Sequence, residues 1–188
     1  MKAQLECFSC NIRQAQEATL LAGKDPSFAW RVTQELCRIY SQADPNWTPA
    51  YMTTVAHRVA MQMTGNADIY SRLKSHYNQL ALALYPRLKM FVASGKNRLE
   101  QAIRVAIAGN IIDLGVYREL SIDQIMEEVE GTEWGIANFA EFSQALNTAK
   151  IILYVGDNAG EIVFDRVFLE EIKDGRECVF LVKSGPIS

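Results

Sequence analysis

Gly156-Asp157-Asn158-Ala159-Gly160-Glu161 sets a carboxylate, a carboxamide, two glycines and a second carboxylate within six residues. Asp157 and Asn158 are adjacent hard oxygen donors, a set that suits Mg²⁺ or Mn²⁺ better than a soft-ligand metal. Gly160 lets backbone approach a ligand closely, and the amides that open a following helix favour an anion. The chemistry these residues point to is a cation-plus-phosphate site. The same residues also read as a turn in which Asp157 or Asn158 caps the next helix. Both readings stand on this stretch alone.

The flanking residues say how such a site would be held. Ile151-Ile152-Leu153-Tyr154-Val155 reads as a short strand buried on both faces. After the glycine turn, Ile162, Val163, Val167 and Leu169 fall at helical spacing, predicting a helix over 160–173. Asp174-Gly175 is a turn, and 178–182 reads as a second strand. Strand, loop and helix make the opening unit of a doubly wound α/β domain, in which ligands bind beyond the carboxyl ends of the strands. Two strands do not complete such a sheet. Either the α/β domain continues beyond this chain, or another copy completes it by self-association.

Before Lys150 the period is helical throughout. Asp25-Pro26 and Thr48-Pro49 are helix starts with proline at the first position, Asp68 and Asn97 are further caps, and Ser121-Ile122-Asp123-Gln124 has the form of a capping box. Pro86 restarts or kinks the long segment that follows Asp68. The predicted class is mainly α followed by α/β, with an all-helical domain over 1–148 and the start of an α/β domain over 149–188.

The chain has 188 residues, 49% hydrophobic and 22% charged, with a net charge of -3. That balance gives no reason to expect nucleic acid or an anionic membrane surface as partner. No apolar run approaches the roughly 20 residues of a membrane span, and Lys2, Gln4 and Glu6 do not form a secretory leader. Four cysteines without an export signal read as thiols or metal ligands, and a cytoplasmic location is expected. Cys7 and Cys10 form a CxxC that reads as a redox pair, half of a metal site, or two ordinary helix residues. No strand precedes it, as a thioredoxin-like pair would require, and a structural or accessory role is favoured. His57 and His76 read as packing or surface residues, and Trp30, Trp47 and Trp134 as parts of the helical core or its seams.

Four features, in order along the chain, resemble the metal-dependent damage-control phosphatases, long catalogued as a domain of unknown function. They are Cys7-Phe8-Ser9-Cys10 followed by Gln14; Ala106-Ile107-Ala108-Gly109-Asn110-Ile111-Ile112-Asp113-Leu114-Gly115; Gly156-Asp157-Asn158-Ala159-Gly160-Glu161; and Val182-Lys183-Ser184-Gly185-Pro186-Ile187. The first resembles the opening of the family's prokaryotic subfamily. The resemblance implies a helical domain packed on a Rossmann-like α/β domain, with a divalent cation (Mn²⁺, Mg²⁺, Ni²⁺ or Co²⁺) between them and small phosphorylated metabolites as substrates. It implies that Asp157 and Asn158 hold the metal, with a further Asp in a segment beyond Ser188.

Within that picture Asp157 and Glu161 are the catalytic candidates. Glu161 would orient or deprotonate a water, or serve only as a first-turn dipole partner. Lys183 would neutralise a phosphate beside Gly160, or stand as a solvated strand-end lysine. Asn110 and Asp113 would reach the site from the helical side, or act as turn and cap residues. Two other classes of function remain: a non-hydrolytic nucleotide- or phosphate-binding module, and a helical interaction protein. A dinucleotide fingerprint would need Gly-x-Gly-x-x-Gly, and this turn has only Gly156 and Gly160.

Overall fold

The computed structural model describes residues 2–112, 122–131 and 138–185. Among them are eight α-helices and two strands: α1 (Leu5–Leu21), α2 (Pro26–Tyr40), α3 (Pro49–Thr64), α4 (Ser71–Ser94), α5 (Arg98–Ala108), α6 (Ile122–Gly131), α7 (Phe139–Thr148), β1 (Ile151–Val155), α8 (Glu161–Ile172) and β2 (Glu177–Leu181). A 3₁₀ turn, Gly109–Ile112, follows α5. Asp113, Ser121 and Trp134 lie outside the described residues.

The helix starts form by capping. The Asp25 carboxylate accepts the Phe28 N–H at 2.9 Å ahead of Pro26, and the Thr48 hydroxyl accepts the Tyr51 N–H at 3.2 Å ahead of Pro49. Asn97 does the same for Glu100. Each satisfies an N–H that the first helical turn leaves without a partner. Pro86 lies within α4, which runs on through it.

The chain forms two compact units, one up to Arg72 and one from Leu73 to Ser184. In the first, α2 buries Ala29, Val32, Leu36 and Tyr40 at helical spacing, facing core residues that include Ala15 and Ala18 of α1 and Met52, Ala56 and Ala60 of α3. The buried Tyr40 hydroxyl donates to the Met52 carbonyl at 2.8 Å. His57 is a core histidine, 4% exposed, whose ring nitrogen lies 3.4 Å from the Tyr70 hydroxyl. Trp30 corrects the expectation of a core tryptophan: it is 65% exposed, because it follows Ala29 out of the buried stripe of α2. Trp47 packs edge-on against Tyr51.

The second unit has one core, built from Leu84, Leu88 and Val92 of α4, Val105 of α5, Ile125 and Val129 of α6, and Val163, Phe164 and Val167 of α8. The units therefore do not follow the change of sequence period at Lys150. The helix of the strand–loop–helix stretch buries its apolar face on α5, and its core is shared with the helices that precede it.

β1 and β2 pair in parallel, with Ile151 opposite Glu177 and Val155 opposite Leu181. Their burial corrects the expectation of a strand covered on both faces. Ile152 and Tyr154 pack on the core, whereas Ile151, Leu153 and Val155 are 64%, 62% and 70% exposed. Successive strand residues point to opposite faces, and α8 covers one of them.

Charge ties α8 to its neighbours. Glu170 accepts the Tyr85 hydroxyl at 2.6 Å and pairs with Lys89 at 3.1 Å and Arg166 at 2.8 Å, while Glu171 pairs with Arg98 at 2.8 Å. Burial pushes the Glu170 carboxyl up, but Tyr85, Arg166 and Lys89 outweigh it and hold the group at about 2. A depressed folded value contributes stability that is complete above the ordinary glutamate value of 4.5 and is lost as pH falls toward about 2. Melting temperature should therefore fall across that window, and Glu170→Gln should flatten the fall. A variant whose melting curve drops as steeply as the parent's would assign the acid sensitivity to other groups.

Candidate functional site

The candidate site stands at the carboxyl end of β1, wholly within the second unit. Gly156 opens the loop, its N–H donating to the Leu181 carbonyl at 2.9 Å. A Cβ at this position would lie 2.5 Å from the Phe180 ring, so a side chain here would displace that ring from its stack on Tyr154. Gly160 ends the loop with φ +84°, a conformation that side chains rarely tolerate. Its N–H donates to the Asn78 carboxamide of α4 at 2.7 Å. The expectation that this helix start offers its amides to an anion is thereby narrowed: the Gly160 donor is already taken.

Between the glycines the predicted residues come together in two pairs. The Lys183 ammonium lies 2.6 Å from the Asp157 carboxylate, and both side chains are reached by solvent. Asn158 donates from its backbone and its carboxamide to Glu161. Burial, the nearby Asp165 and, more weakly, Asp157 raise the Glu161 carboxyl, against the pull of those Asn158 hydrogen bonds. Glu161 Oε2 is buried and has no hydrogen-bond partner.

The helical side reaches this place through its backbone. Gly109 is buried against α8 so closely that a Cβ there would sit 3.2 Å from Glu161 Cγ and 3.0 Å from Phe164 Cβ. Asn110 follows it and is exposed. Cys7 and Cys10 belong to α1 in the other unit.

Two participants had no place in the sequence reading. Asp165 is 1% exposed; its Oδ1 accepts the Tyr154 hydroxyl at 2.5 Å, and its Oδ2 has no partner. Burial raises its carboxyl, and Tyr154 only partly offsets that. An acid between Phe164 and Arg166, inside an apolar stripe and four residues after Glu161, was a legible signal. Asn78 was not, because it meets Gly160 across 82 residues.

The donor set fits a hard cation. Asp157 already attracts a positive group, and Glu161 brings a desolvated oxygen that lacks a donor. The described residues contain no cluster of three or more His, Cys, Asp or Glu able to hold a metal, so these donors alone would leave a cation incompletely held. Among the same residues no helix is long and apolar enough to cross a membrane.

Comparison with known proteins gives a consistent picture. The damage-control phosphatase ARMT1-like domain matches residues 3–188. An uncharacterized protein of Methanocaldococcus jannaschii is 33% identical over 194 residues, covering 100% of this chain and 64% of that protein. A damage-control phosphatase of Pyrococcus horikoshii is 26% identical over 191 residues, covering 100% of this chain and 66% of that protein. The crystal structure of a DUF89 family protein from Pyrococcus horikoshii has a TM-score of 0.85 at 28% identity, covering 99% of this chain and 66% of that one. The chain thus spans a little under two thirds of the curated relatives it matches. The fold likeness includes the mostly helical body and its two-stranded parallel sheet.

The loop geometry makes a direct test available. Gly160→Ala should destabilise the chain by about 1–3 kcal/mol, the scale of one residue held in a sparsely populated conformation. Urea unfolding measures it. An unchanged or raised midpoint, the usual result of Gly→Ala where the backbone suits alanine, would show that the loop relaxes out of this conformation.

Proposed function

Because the chain belongs to the damage-control phosphatase ARMT1-like family, we propose that the protein carrying it is a phosphatase of small phosphorylated metabolites, dependent on a divalent metal. The observation that carries this reading is the convergence of Asp157, Asn158, Glu161 and Lys183 at the carboxyl ends of β1 and β2. In this reading the helical part packs on a Rossmann-like α/β domain that begins with β1, α8 and β2. Strands supplied by a longer chain or a second copy, together with a further carboxylate, complete the sheet and the site. The four free thiols suit a reducing compartment, and we place the protein in the cytoplasm.

The residues divide the work by chemistry. Asp157 and Asn158 would hold the cation (Mn²⁺, Mg²⁺, Ni²⁺ or Co²⁺), which supplies charge neutralisation of the phosphoryl oxygens when bound. Lys183, already beside Asp157, is free to turn its ammonium to a phosphate oxygen once Asp157 has another positive partner. Glu161, whose carboxyl is raised by burial and by Asp165, would take the proton of a water that attacks phosphorus, as the alkoxide leaves. Asn158 fixes the Glu161 carboxyl through two hydrogen bonds. Gly109 sets its backbone against Glu161, and in this reading Asn110 and Asp113 would take part in binding the substrate.

The test is p-nitrophenyl phosphate hydrolysis by the full-length protein with and without Mn²⁺. Metal-dependent turnover is expected, reduced roughly 10²-fold or more by Asp157→Ala, the scale on which one charge-stabilising group acts. The variant should keep the parent's helical circular dichroism. Phosphate binding without turnover under any divalent ion would make the site a non-hydrolytic phosphate-binding module. Loss of the fold in Asp157→Ala would make Asp157 a structural cap, and absence of both metal and phosphate binding would leave a helical interaction protein.

A further inference from the structure

Asn78 is out of character for its place on α4. The buried residues of that helix are Ala81, Leu84, Leu88 and Val92, at spacings of three and four, which is one helical face. Asn78 stands one turn before Ala81 on that face, with Tyr77 and Leu80 beside it packed on the same core. Packing would fill the position with an apolar side chain. The carboxamide found there is half-buried and needs a partner.

Its partner is the loop of the candidate site. Asn78 Oδ1 accepts the Gly160 N–H at 2.7 Å, the short end of the range for such bonds, and Gly160 itself is buried. Gly160 is the N-cap of α8, with φ +84° and ψ -53°. Glycine visits positive and negative φ with little preference, so its own stereochemistry does not choose this conformation. The two peptides that flank its Cα do. The Gly160 carbonyl receives the Val163 N–H of α8 at 3.1 Å, and the Gly160 N–H is held by α4. The other ties of the loop come from residues 155–183: Gly156 on Leu181, Lys183 on Asp157 and Asn158 on Glu161. Among the described residues, Asn78 is the hydrogen-bonding tie that reaches the loop from outside that stretch.

We propose that Asn78 is a positioning residue of the phosphatase, a role that rests on the reading given above: by holding the Ala159–Gly160 peptide, it sets Asp157 and Asn158 against Glu161. Asn78 acts through Gly160 and touches none of the reacting atoms. Without its oxygen a buried N–H loses its acceptor, and turning the glycine peptide toward water is the least costly repair. That turn shifts Asn158 and Asp157 while α8 stays in place, anchored by Phe164 and Val167 in the core. A displacement of about 1 Å in such a group costs on the order of 10²-fold in rate.

The full-length protein is compared with Asn78→Ala, which removes the acceptor, and Asn78→Asp, which keeps an oxygen at the same reach and adds a charge that a helix start favours. Asn78→Ser, too short to reach Gly160, replaces Asn78→Ala if that variant does not fold. Hydrolysis of p-nitrophenyl phosphate is followed at saturating Mn²⁺, well below each melting temperature. Asn78→Ala is expected to lose roughly 10²-fold in kcat with KM little changed. It should also bind Mn²⁺ roughly 10–100-fold more weakly, the scale of an outer-shell partner. Asn78→Asp should recover most of both. In ¹H–¹⁵N spectra recorded without metal, the Gly160 signal should move in Asn78→Ala while those of Val167 and Phe168 stay. Parental kcat and Mn²⁺ affinity in Asn78→Ala overturn the proposal. So does a loss that Asn78→Asp does not recover, or one accompanied by displaced Val167 and Phe168 signals, since that is loosening of the whole unit. A parent that binds Mn²⁺ without turnover fails the phosphatase reading alone, and the Mn²⁺ affinities of the variants then decide the positioning role. A parent that neither binds Mn²⁺ nor turns over overturns both.

Discussion

Everything in the second unit depends on burying one face of α8. Phe164 and Val167 are fully buried, Val163, Phe168 and Ile172 nearly so, and their partners come from α4, α5 and α6. A helix of this length has little stability alone, so its packing supplies the order. Once the face is buried, the start of α8 is fixed, and with it the loop that β1 feeds into it. The carboxylates at its far end then find Lys89, Arg98 and Tyr85 across the seam, with Arg166 of α8 itself beside Glu170. Such partly exposed pairs act as register marks for the helix more than as sources of stability.

The site is a compromise between closeness and charge. Side chains press on the backbone at Gly109 and Gly156, where a Cβ would meet Phe164 and Glu161 or the Phe180 ring at 2.5–3.2 Å, and Gly160 holds the Asn78 carboxamide. Into that tight frame the chain sets Asp157, Glu161 and Asp165, three acids on a short path. The molecule manages them differently. Asp157 stays in water beside Lys183. Glu161 leans on Asn158, and Asp165, most deeply buried, holds the Tyr154 hydroxyl. Burial raises the carboxyls of the two drier acids, Glu161 and Asp165.

Local physics was legible in the sequence, and long-range physics was not. Caps at Asp25, Thr48 and Asn97, the strand at Ile151–Val155 and the glycine turn were readable because each is decided by residues within a few positions. Composition could not show which face of β1 would be covered, since Ile151 and Ile152 are the same residue with opposite surroundings. Trp30 misled for a related reason: its size suggests burial, and its angular position on α2 decides exposure. The loop between the glycines was readable as chemistry, but the Asp157–Lys183 contact needed the parallel register of β1 and β2.

The hydrogen bond from Gly160 to Asn78 joins residues 82 positions apart. Loop closure of that length is entropically expensive and slow to be rewarded. Strand and helix on either side of the loop can begin to form from nearby residues, yet the loop between them acquires its last donor–acceptor pair only after α4 has arrived. Exchange of the Gly160 amide with deuterated water tracks docking of α4 and not formation of α8. The loop that carries Asp157 and Asn158 is thus tied to a helix more than 60 residues before it, and shares that helix's docking as a condition of its own shape.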